Sequence, residues 1–184
     1  LSFHHFLFSK ILTSIWFVIS LVLPLLIPVF SLPEPDGACD VGTENFYWKD
    51  TTRLEWFTRE DSLDVRKLIV QAWYPGDRGH QSKAEPYFDY IKLRSMTMAE
   101  AGKIPSFFPT HLQYAKTNSY KNINIAKQSN KKLPILIFSH GITSSRLLHQ
   151  ILFESLASKG YVVFALDHSY DANISIFPDS TIAD

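Results

Sequence analysis

The sequence predicts an α/β protein in which antiparallel N-terminal strands lead into a doubly wound parallel sheet, preceded by a transmembrane helix. Two wholly apolar runs, residues 133–138 and 161–166, have the pattern of parallel strands that are covered on both faces. The residues between them carry apolar side chains at helical spacing. A strand, a helix and a second parallel strand form one crossover unit, the building block of a doubly wound sheet.

A run of twenty uncharged residues, from Ile11 to Phe30, is long enough to cross the hydrocarbon core of a bilayer. A buried soluble helix is disfavoured because the run has no polar face and contains Pro24 and Pro28. A cleaved signal peptide is the alternative, but its apolar region is normally shorter and ends at a small-residue cleavage site. The pattern therefore favours a membrane span.

Charges flank this run unequally. Lys10 precedes it, and Glu34, Asp36 and Asp40 follow it. The positive-inside rule then predicts an extracytoplasmic location for the rest of the chain. We expect residues 1–31 to form the membrane span or anchor, followed by a proline-rich linker over residues 32–40.

Length and charge limit the function classes. The 184 residues suffice for one domain with a sizeable core. Basic and acidic side chains balance at 18 each, so nothing favours binding to nucleic acid. Cys39 is the only cysteine, which excludes an intrachain disulfide. The chain begins at Leu1 rather than Met and stops at Asp184 soon after a strand. We therefore expect residues 41–184 to be the N-terminal part of a truncated domain.

Residues 41–75 predict an antiparallel β-meander. Strand-forming residues occupy 42–48, 54–58 and 66–74, and the polar stretch 49–53 resembles a turn. Pro75 ends the last of these strands, because it cannot donate to the ladder.

Residues 76–132 are long for a bare loop, so they should carry structure of their own. Residues 86–94 and 96–101 have helical character, and Gly102 interrupts them. Two interpretations are open: a lid that covers an acyl-binding site, or a surface insertion that packs its own aromatic side chains.

The crossover helix should begin at a serine cap, Ser144 or Ser145, and end at Gly160. Its apolar side chains form one stripe that should face the sheet. The stripe consists of Leu147, Leu148, Ile151, Leu152 and Leu156.

Polar motifs follow both apolar strands, where ligands of such sheets bind. After the first strand, Ser139, His140, Gly141 and Ile142 predict a tight turn whose Gly141 avoids a Cβ penalty. The backbone N–H of Ile142, with that of Gly141, would point into the crevice and could stabilise an oxyanion.

Asp167 and His168 follow the second strand. Neighbours on an extended chain point to opposite sides, so these two cannot act together as carboxylate and base. We expect both to hydrogen-bond loops at the strand end, and His140 to hold its turn rather than act as a general base. A metal site built from His140, Asp167 and His168 is a minor alternative.

Four segments resemble the platelet-activating-factor acetylhydrolases and their bacterial relatives, within the α/β-hydrolase superfamily. They are residues 32–43, 68–75, 134–141 and 156–163, and they span most of the chain after the apolar run. The sequence Phe138-Ser139-His140-Gly141 followed by Leu-Ala-Ser-x-Gly-Tyr is the most specific of them. The resemblance implies an α/β-hydrolase-like fold and a serine esterase that removes short sn-2 acyl chains from glycerophospholipids, without metal or cofactor.

The resemblance also implies a catalytic serine in a G-x-S-x-G elbow, followed by Asp and then His. The chain contains no such elbow, so the triad is expected beyond Asp184. Of the family's site, only the oxyanion-hole turn carries over, chiefly Ile142 with Gly141. The family often has Glu-His-Arg where this chain has Asp167-His168-Ser169, which weakens any catalytic role for the pair.

Three functions follow from these patterns. The first is a membrane-associated carboxylic ester hydrolase with a phospholipid or short-chain ester as substrate, of which this piece alone is inactive. The second is a non-catalytic, membrane-tethered protein that binds lipid or a partner. The third is another chemistry of the same fold, such as dienelactone or peptide hydrolysis.

Overall fold

The computed structural model describes residues 2–26, 29–79, 82–127 and 132–183. The chain divides into two units, Leu1–Phe30 and Ser31–Asp184, and each is described by itself. The first contains helix α1 (Ser2–Leu26). Within it, His5–Leu23 is long and apolar enough to cross a membrane, a test that a signal sequence near the N-terminus also passes. The predicted span to Phe30 is therefore matched in part, because α1 ends at Leu26.

The second unit is built on a mixed β-sheet, which confirms the predicted α/β class. Its strands are β1 (Asp40–Leu54), β2 (Val65–Asp77), β3 (Ala84–Pro86), β4 (Lys116–Lys121), β5 (Asn124–Ile125), β6 (Ile135–Ser139) and β7 (Val162–His168). They lie in the order β3-β4-β1-β2-β7-β6 across the sheet, and β5 pairs with β2. A separate two-stranded ribbon joins β8 (Ser175–Ile176) and β9 (Ile182–Ala183).

Strand β1 is continuous, so the predicted turn at residues 49–53 is wrong. From Asp40 to Asp50 it pairs with β2 in unbroken antiparallel register, and the register shifts only between Asp50 and Leu54. Asp50 accepts hydrogen bonds from the N–H and hydroxyl of Thr52, at 3.0 and 2.6 Å. These local bonds satisfy the polar stretch within an irregular strand, and the chain reverses later, between Leu54 and Val65.

The core lies between this sheet and helix α3 (Gln150–Ser158). Trp73 of β2 is fully buried, and its ring lies 4.9 Å from that of Phe153 on α3. Val163 and Ala165 of β7 complete this cluster. A stable platform of apolar side chains thus supports the carboxyl end of β7.

The predicted stripe is matched in part. Leu147 is buried and Leu156 packs against the core, as predicted. Phe153 and Ala157 make the other contacts with the sheet, whereas Leu148, Ile151 and Leu152 stay about half exposed. Both sides of this helix are apolar, and periodicity alone cannot choose between them. The cap prediction is also wrong, because α3 begins at Gln150 after a turn over residues 146–149. Gly160 does adopt the left-handed conformation predicted for the helix stop, with φ of 97°.

Strand β6 pairs in parallel with β7 and lies at the edge of the sheet. Its side chains, predicted to be covered on both faces, are exposed: 62% for Ile135 and 75% for Ile137. Side chains alternate along a strand, and Phe138 of β6 contacts Phe153 of α3. Ile135 and Ile137 therefore lie on the face of β6 that points away from α3. An exposed apolar strand at the edge of a sheet is typical of a surface on which another element packs.

Residues 76–132 contribute to the main sheet. Strand β4 pairs in parallel with β1, and β3 pairs antiparallel with β4. Helix α2 runs over Ile91–Gly102, later than the predicted 86–94, because Pro86 belongs to β3 and Tyr90 takes a left-handed φ of 46° just before the helix. A 3-10 helix, Phe108–Tyr114, follows.

Candidate active site

The candidate site lies at the carboxyl ends of the parallel strands β6 and β7. Their register pairs Ser139 with Leu166, so the residues that follow each strand meet at the same edge of the sheet. The predicted motifs therefore come together: Ser139 to Ile142 after β6, and Asp167 with His168 at the end of β7. This is the position where open α/β sheets bind ligands.

The turn after β6 spans residues 141–144 and is closed by the Ser144 N–H, which donates to the Gly141 carbonyl at 3.1 Å. Thr143 carries the strained conformation, with a left-handed φ of 59°. The prediction that Gly141 permits the turn is wrong: its φ is not positive, and a Cβ there would meet no atom within 4 Å. A β-branched residue at positive φ is unusual, and strain of this kind is concentrated at functional sites.

The backbone amides of Gly141 and Ile142 are the donors of this turn. Across the described residues, neither N–H has a hydrogen-bond acceptor, whereas the next amide, Thr143 N–H, donates to the Asp171 carbonyl at 2.8 Å. The Ile142 side chain is 86% exposed. The turn therefore presents two adjacent, accessible N–H groups beside the end of β7, which is an arrangement that can bind an anionic oxygen.

His140 holds this turn in place. The imidazole is buried, and its Nε2 accepts a hydrogen bond of 3.1 Å from the His168 N–H. The proton must then reside on Nδ1, which donates to the Gly141 carbonyl at 2.7 Å. Both nitrogens of the neutral ring are occupied, in agreement with the expected structural role.

One contact was not anticipated from the sequence. The Ser139 hydroxyl lies 2.7 Å from His168 Nε2, within the reach of a nucleophile and a general base. The carboxylate next in sequence, Asp167, does not orient this ring, because it lies on the opposite side of β7 and binds Arg146. Within the part of the chain that the structure describes, no carboxylate is hydrogen-bonded to the His168 ring, so the pair lacks the third member of a triad there.

Asp167 is the most deeply buried charge of the site, with no exposed surface. Its Oδ1 accepts hydrogen bonds from the Arg146 N–H at 2.7 Å and from the Ser145 hydroxyl at 3.3 Å. Its Oδ2 forms an ion pair with the Arg146 guanidinium. The expectation that Asp167 binds a loop at the strand end therefore agrees with the structure.

The residues of the metal alternative are all engaged otherwise. His140 and His168 lie edge to face, with ring centroids 5.0 Å apart, but the His140 nitrogens and the Asp167 carboxylate have the partners described above. In the described segments of the chain, no three His, Cys, Asp or Glu side chains are grouped as metal ligands.

The mixed sheet with its crossover helix defines the fold class of this protein as α/β-hydrolase-like. The fold is similar to that of a ferulic acid esterase from Streptomyces cinnamoneus, with a TM-score of 0.67 and 26% sequence identity. The match covers 85% of this chain and 41% of that structure.

A sequence model of a protein family identifies the family to which this chain belongs. The model described as platelet-activating factor acetylhydrolase, isoform II, matches residues 32–180, and the chain belongs to this family. This confirms the resemblance stated from the sequence.

Two relatives illustrate the membership. A protein of Arthroderma benhamiae, named probable 1-alkyl-2-acetylglycerophosphocholine esterase, is 36% identical over 161 residues, covering 83% of this chain and 41% of the relative. The platelet-activating factor acetylhydrolase of Canis lupus familiaris is 33% identical over 142 residues, covering 74% of this chain and 28% of the relative. The chain thus spans less than half the length of each of them.

Proposed function

We propose that this chain supplies the oxyanion-binding turn of a carboxylic ester hydrolase. The parent protein, by which we mean the natural protein that contains these 184 residues, would use a serine nucleophile that lies outside them. The observation that carries the proposal is the pair of adjacent N–H groups at Gly141 and Ile142, which have no acceptor in the described chain and are accessible at the ligand-binding edge of the sheet.

The chemistry of ester hydrolysis requires such donors. When the serine Oγ attacks the ester carbonyl, a base takes the hydroxyl proton and the carbonyl oxygen becomes an anion. An N–H at 2.7–3.1 Å from this oxygen stabilises the transition state, and the loss of one such donor costs about 100- to 1000-fold in kcat. Ile142 N–H would be the main donor and Gly141 N–H the second.

Geometry already fixes these donors before substrate arrives. His140 ties the Gly141 carbonyl to the end of β7, and the Thr143 N–H ties the other side of the turn to the Asp171 carbonyl. The strain at Thr143 is maintained by this network. Donors that need no reorganisation at the moment of reaction are the more effective ones.

The proposed substrate is a phospholipid with a short sn-2 acyl chain. The names of the two relatives, an alkylacetylglycerophosphocholine esterase and a platelet-activating factor acetylhydrolase, support this choice. The chain itself holds the oxyanion turn but no G-x-S-x-G elbow, so acyl selectivity would depend on residues elsewhere in the parent protein.

The proposed location is the membrane, with the hydrolase unit on the extracytoplasmic side. Helix α1 contains a candidate span, His5–Leu23, that is long and apolar enough to be an anchor. Lys10 lies in its N-terminal half and the acidic residues Glu34, Asp36 and Asp40 follow it, which supports this orientation. We also propose the domain division stated above. Of the two interpretations of residues 76–132, we propose the insertion rather than the lid, because β3 and β4 pair within the main sheet.

A non-catalytic lipid-binding protein of the same fold is the second candidate, and the absence of an elbow from these residues favours it. The assay that separates the two uses the purified parent protein with p-nitrophenyl acetate and with an acetylated glycerophosphocholine. We expect hydrolysis of both and complete inhibition by a serine-directed phosphonate. A parent protein that binds phospholipid vesicles but hydrolyses neither ester would contradict the proposal.

A further inference from the structure

Four charged side chains, three of them buried and Asp89 partly buried, connect the oxyanion turn to helix α2. Asp89 lies just before α2 and Arg94 lies in its first turn. Arg146 lies in the turn before α3, and Asp167 lies in β7. Arg94 and Arg146 are 2% and 1% exposed. Arg94 Nε lies 2.7 Å from Asp89 Oδ1, and Arg146 forms ion pairs with both aspartates. We call these four residues the ion cluster.

The ion cluster is balanced, with two positive and two negative groups. Burial disfavours the Asp89 carboxylate, but the nearby guanidinium groups of Arg146 and Arg94 outweigh it and hold the pKa of Asp89 below its usual range. Burial likewise opposes the charge on Arg146, yet the two carboxylates raise the pKa of its guanidinium. Asp89 and Arg146 are therefore both held in their charged forms, and removing either one leaves the other without its partner.

The ion cluster fixes the backbone that follows the donor amides. Asp167 binds the Arg146 N–H and the Ser145 hydroxyl, and these residues lie three and four positions after Ile142. The two terminal nitrogens of the planar Arg146 guanidinium bind Asp167 and Asp89, respectively. This side chain therefore connects the turn to Asp89, which lies just before α2.

Helix α2 also supports the turn by a second route. Arg94 Nη1 donates to the Ile174 carbonyl at 3.1 Å, and the Thr97 hydroxyl donates to Asn173 Oδ1 at 2.7 Å. The Asn173 N–H in turn donates to the Ser144 carbonyl at 2.9 Å. Residues 173–174 thus connect α2 to the turn through hydrogen bonds.

We propose that Arg146 is a positioning residue for the oxyanion-binding turn, and that α2 is the fixed support on which it acts. The inference rests on the proposed function and extends it, because it assigns helix α2 a role in supporting the oxyanion-binding turn. A buried ion pair seldom adds net stability over apolar packing, but a bidentate guanidinium determines direction as well as distance. We therefore infer that the ion pairs of Arg146 orient the Ile142 N–H toward the oxyanion.

The test is Arg146→Lys in the parent protein, which keeps the charge and removes the fork. A small misplacement of the donor amides should lower kcat for p-nitrophenyl acetate about 100-fold, while KM stays within about twofold. Affinity for a trifluoromethyl ketone, whose adduct with serine carries the same oxyanion, should fall by a similar factor. The matched control is Arg53→Lys, an exposed arginine paired with Asp50, which should leave all three values unchanged.

Two results would overturn the inference. The first is a kcat for Arg146→Lys within about twofold of the wild-type value. The second is a rise in KM equal to the loss of inhibitor affinity, because substrate and transition-state analogue would then be weakened equally, which misalignment of the donor amides does not cause. Should Arg146→Lys fail to fold, Asp89→Asn is measured in its place. If the wild-type parent has no esterase activity, the proposed function fails. Amide hydrogen exchange then decides the positioning role: exchange at Thr143 and Ser144, whose N–H groups are hydrogen-bonded, should accelerate in Arg146→Lys and not in Arg53→Lys.

Discussion

Replacing Asp167 with alanine in the parent protein should lower the free energy of unfolding by about 3–5 kcal/mol, the usual cost of removing one partner of a buried ion pair. Asp167 is fully buried and accepts bonds from the Arg146 N–H, the Ser145 hydroxyl and the Arg146 guanidinium. Its loss leaves a buried cation with Asp89 as the main remaining partner. Urea unfolding followed by circular dichroism measures the change.

The control for this prediction is Asp50→Ala, which removes a partly exposed carboxylate that also binds an arginine, Arg53. A much smaller loss of stability is expected there, because ion pairs that are open to solvent contribute little. Asp167→Asn, which keeps the volume and one acceptor oxygen, should be intermediate. A loss below about 1 kcal/mol for Asp167→Ala would show that the ion cluster is not a structural unit.

Purified residues 1–184 should not hydrolyse p-nitrophenyl acetate above the rate in buffer, whereas the parent protein should. The reason is chemical: an oxyanion-binding turn without an elbow serine offers no covalent path for acyl transfer. The comparison is made on the two proteins at equal concentration, with a serine-directed phosphonate as the second readout. A detergent-solubilised sample is appropriate, because α1 and the edge strand β6 carry exposed apolar side chains.

One specific outcome would contradict this expectation. Ser139 lies 2.7 Å from His168 Nε2, so turnover by residues 1–184 that disappears in Ser139→Ala would assign the nucleophile to this pair. In that case the chain would be an enzyme in its own right, and its mechanism would differ from the one proposed for the parent protein.

The sequence predicted those parts of the molecule that depend on local pattern. The two apolar strands, the crossover helix, and the meeting of Ser139 to Ile142 with Asp167 at one edge all follow from periodicity and topology. The structural role of His140 also agrees, because a buried imidazole next to a tight turn has carbonyl and amide partners within reach.

Long-range partners could not be predicted in this way. Asp89 and Arg146 are 57 positions apart, and nothing in the local pattern of either residue points to the other. One signal was present: Arg146 directly precedes the apolar stripe, and Asp167 directly follows an apolar strand, so two opposite charges enter the core from neighbouring elements. Buried charges require a partner, and the pair could have been inferred from that requirement.

The remaining errors have local causes. Gly141 was assigned the strained position because glycine is the default residue there, whereas the network around Asp171 places that strain on Thr143. Only part of the predicted stripe faces the sheet, because Phe153 fills the space over Trp73. Leu148, Ile151 and Leu152 therefore remain about half exposed.

The most direct test of the central claim is a crystal structure of the parent protein after reaction with a serine-directed phosphonate. Its phosphoryl oxygen takes the place of the carbonyl oxygen in the tetrahedral intermediate. We expect this oxygen at 2.7–3.1 Å from the Ile142 nitrogen, with Gly141 N–H as the second donor. A phosphoryl oxygen that is bound by other donors, with the Ile142 N–H facing solvent, would contradict the role proposed for this turn.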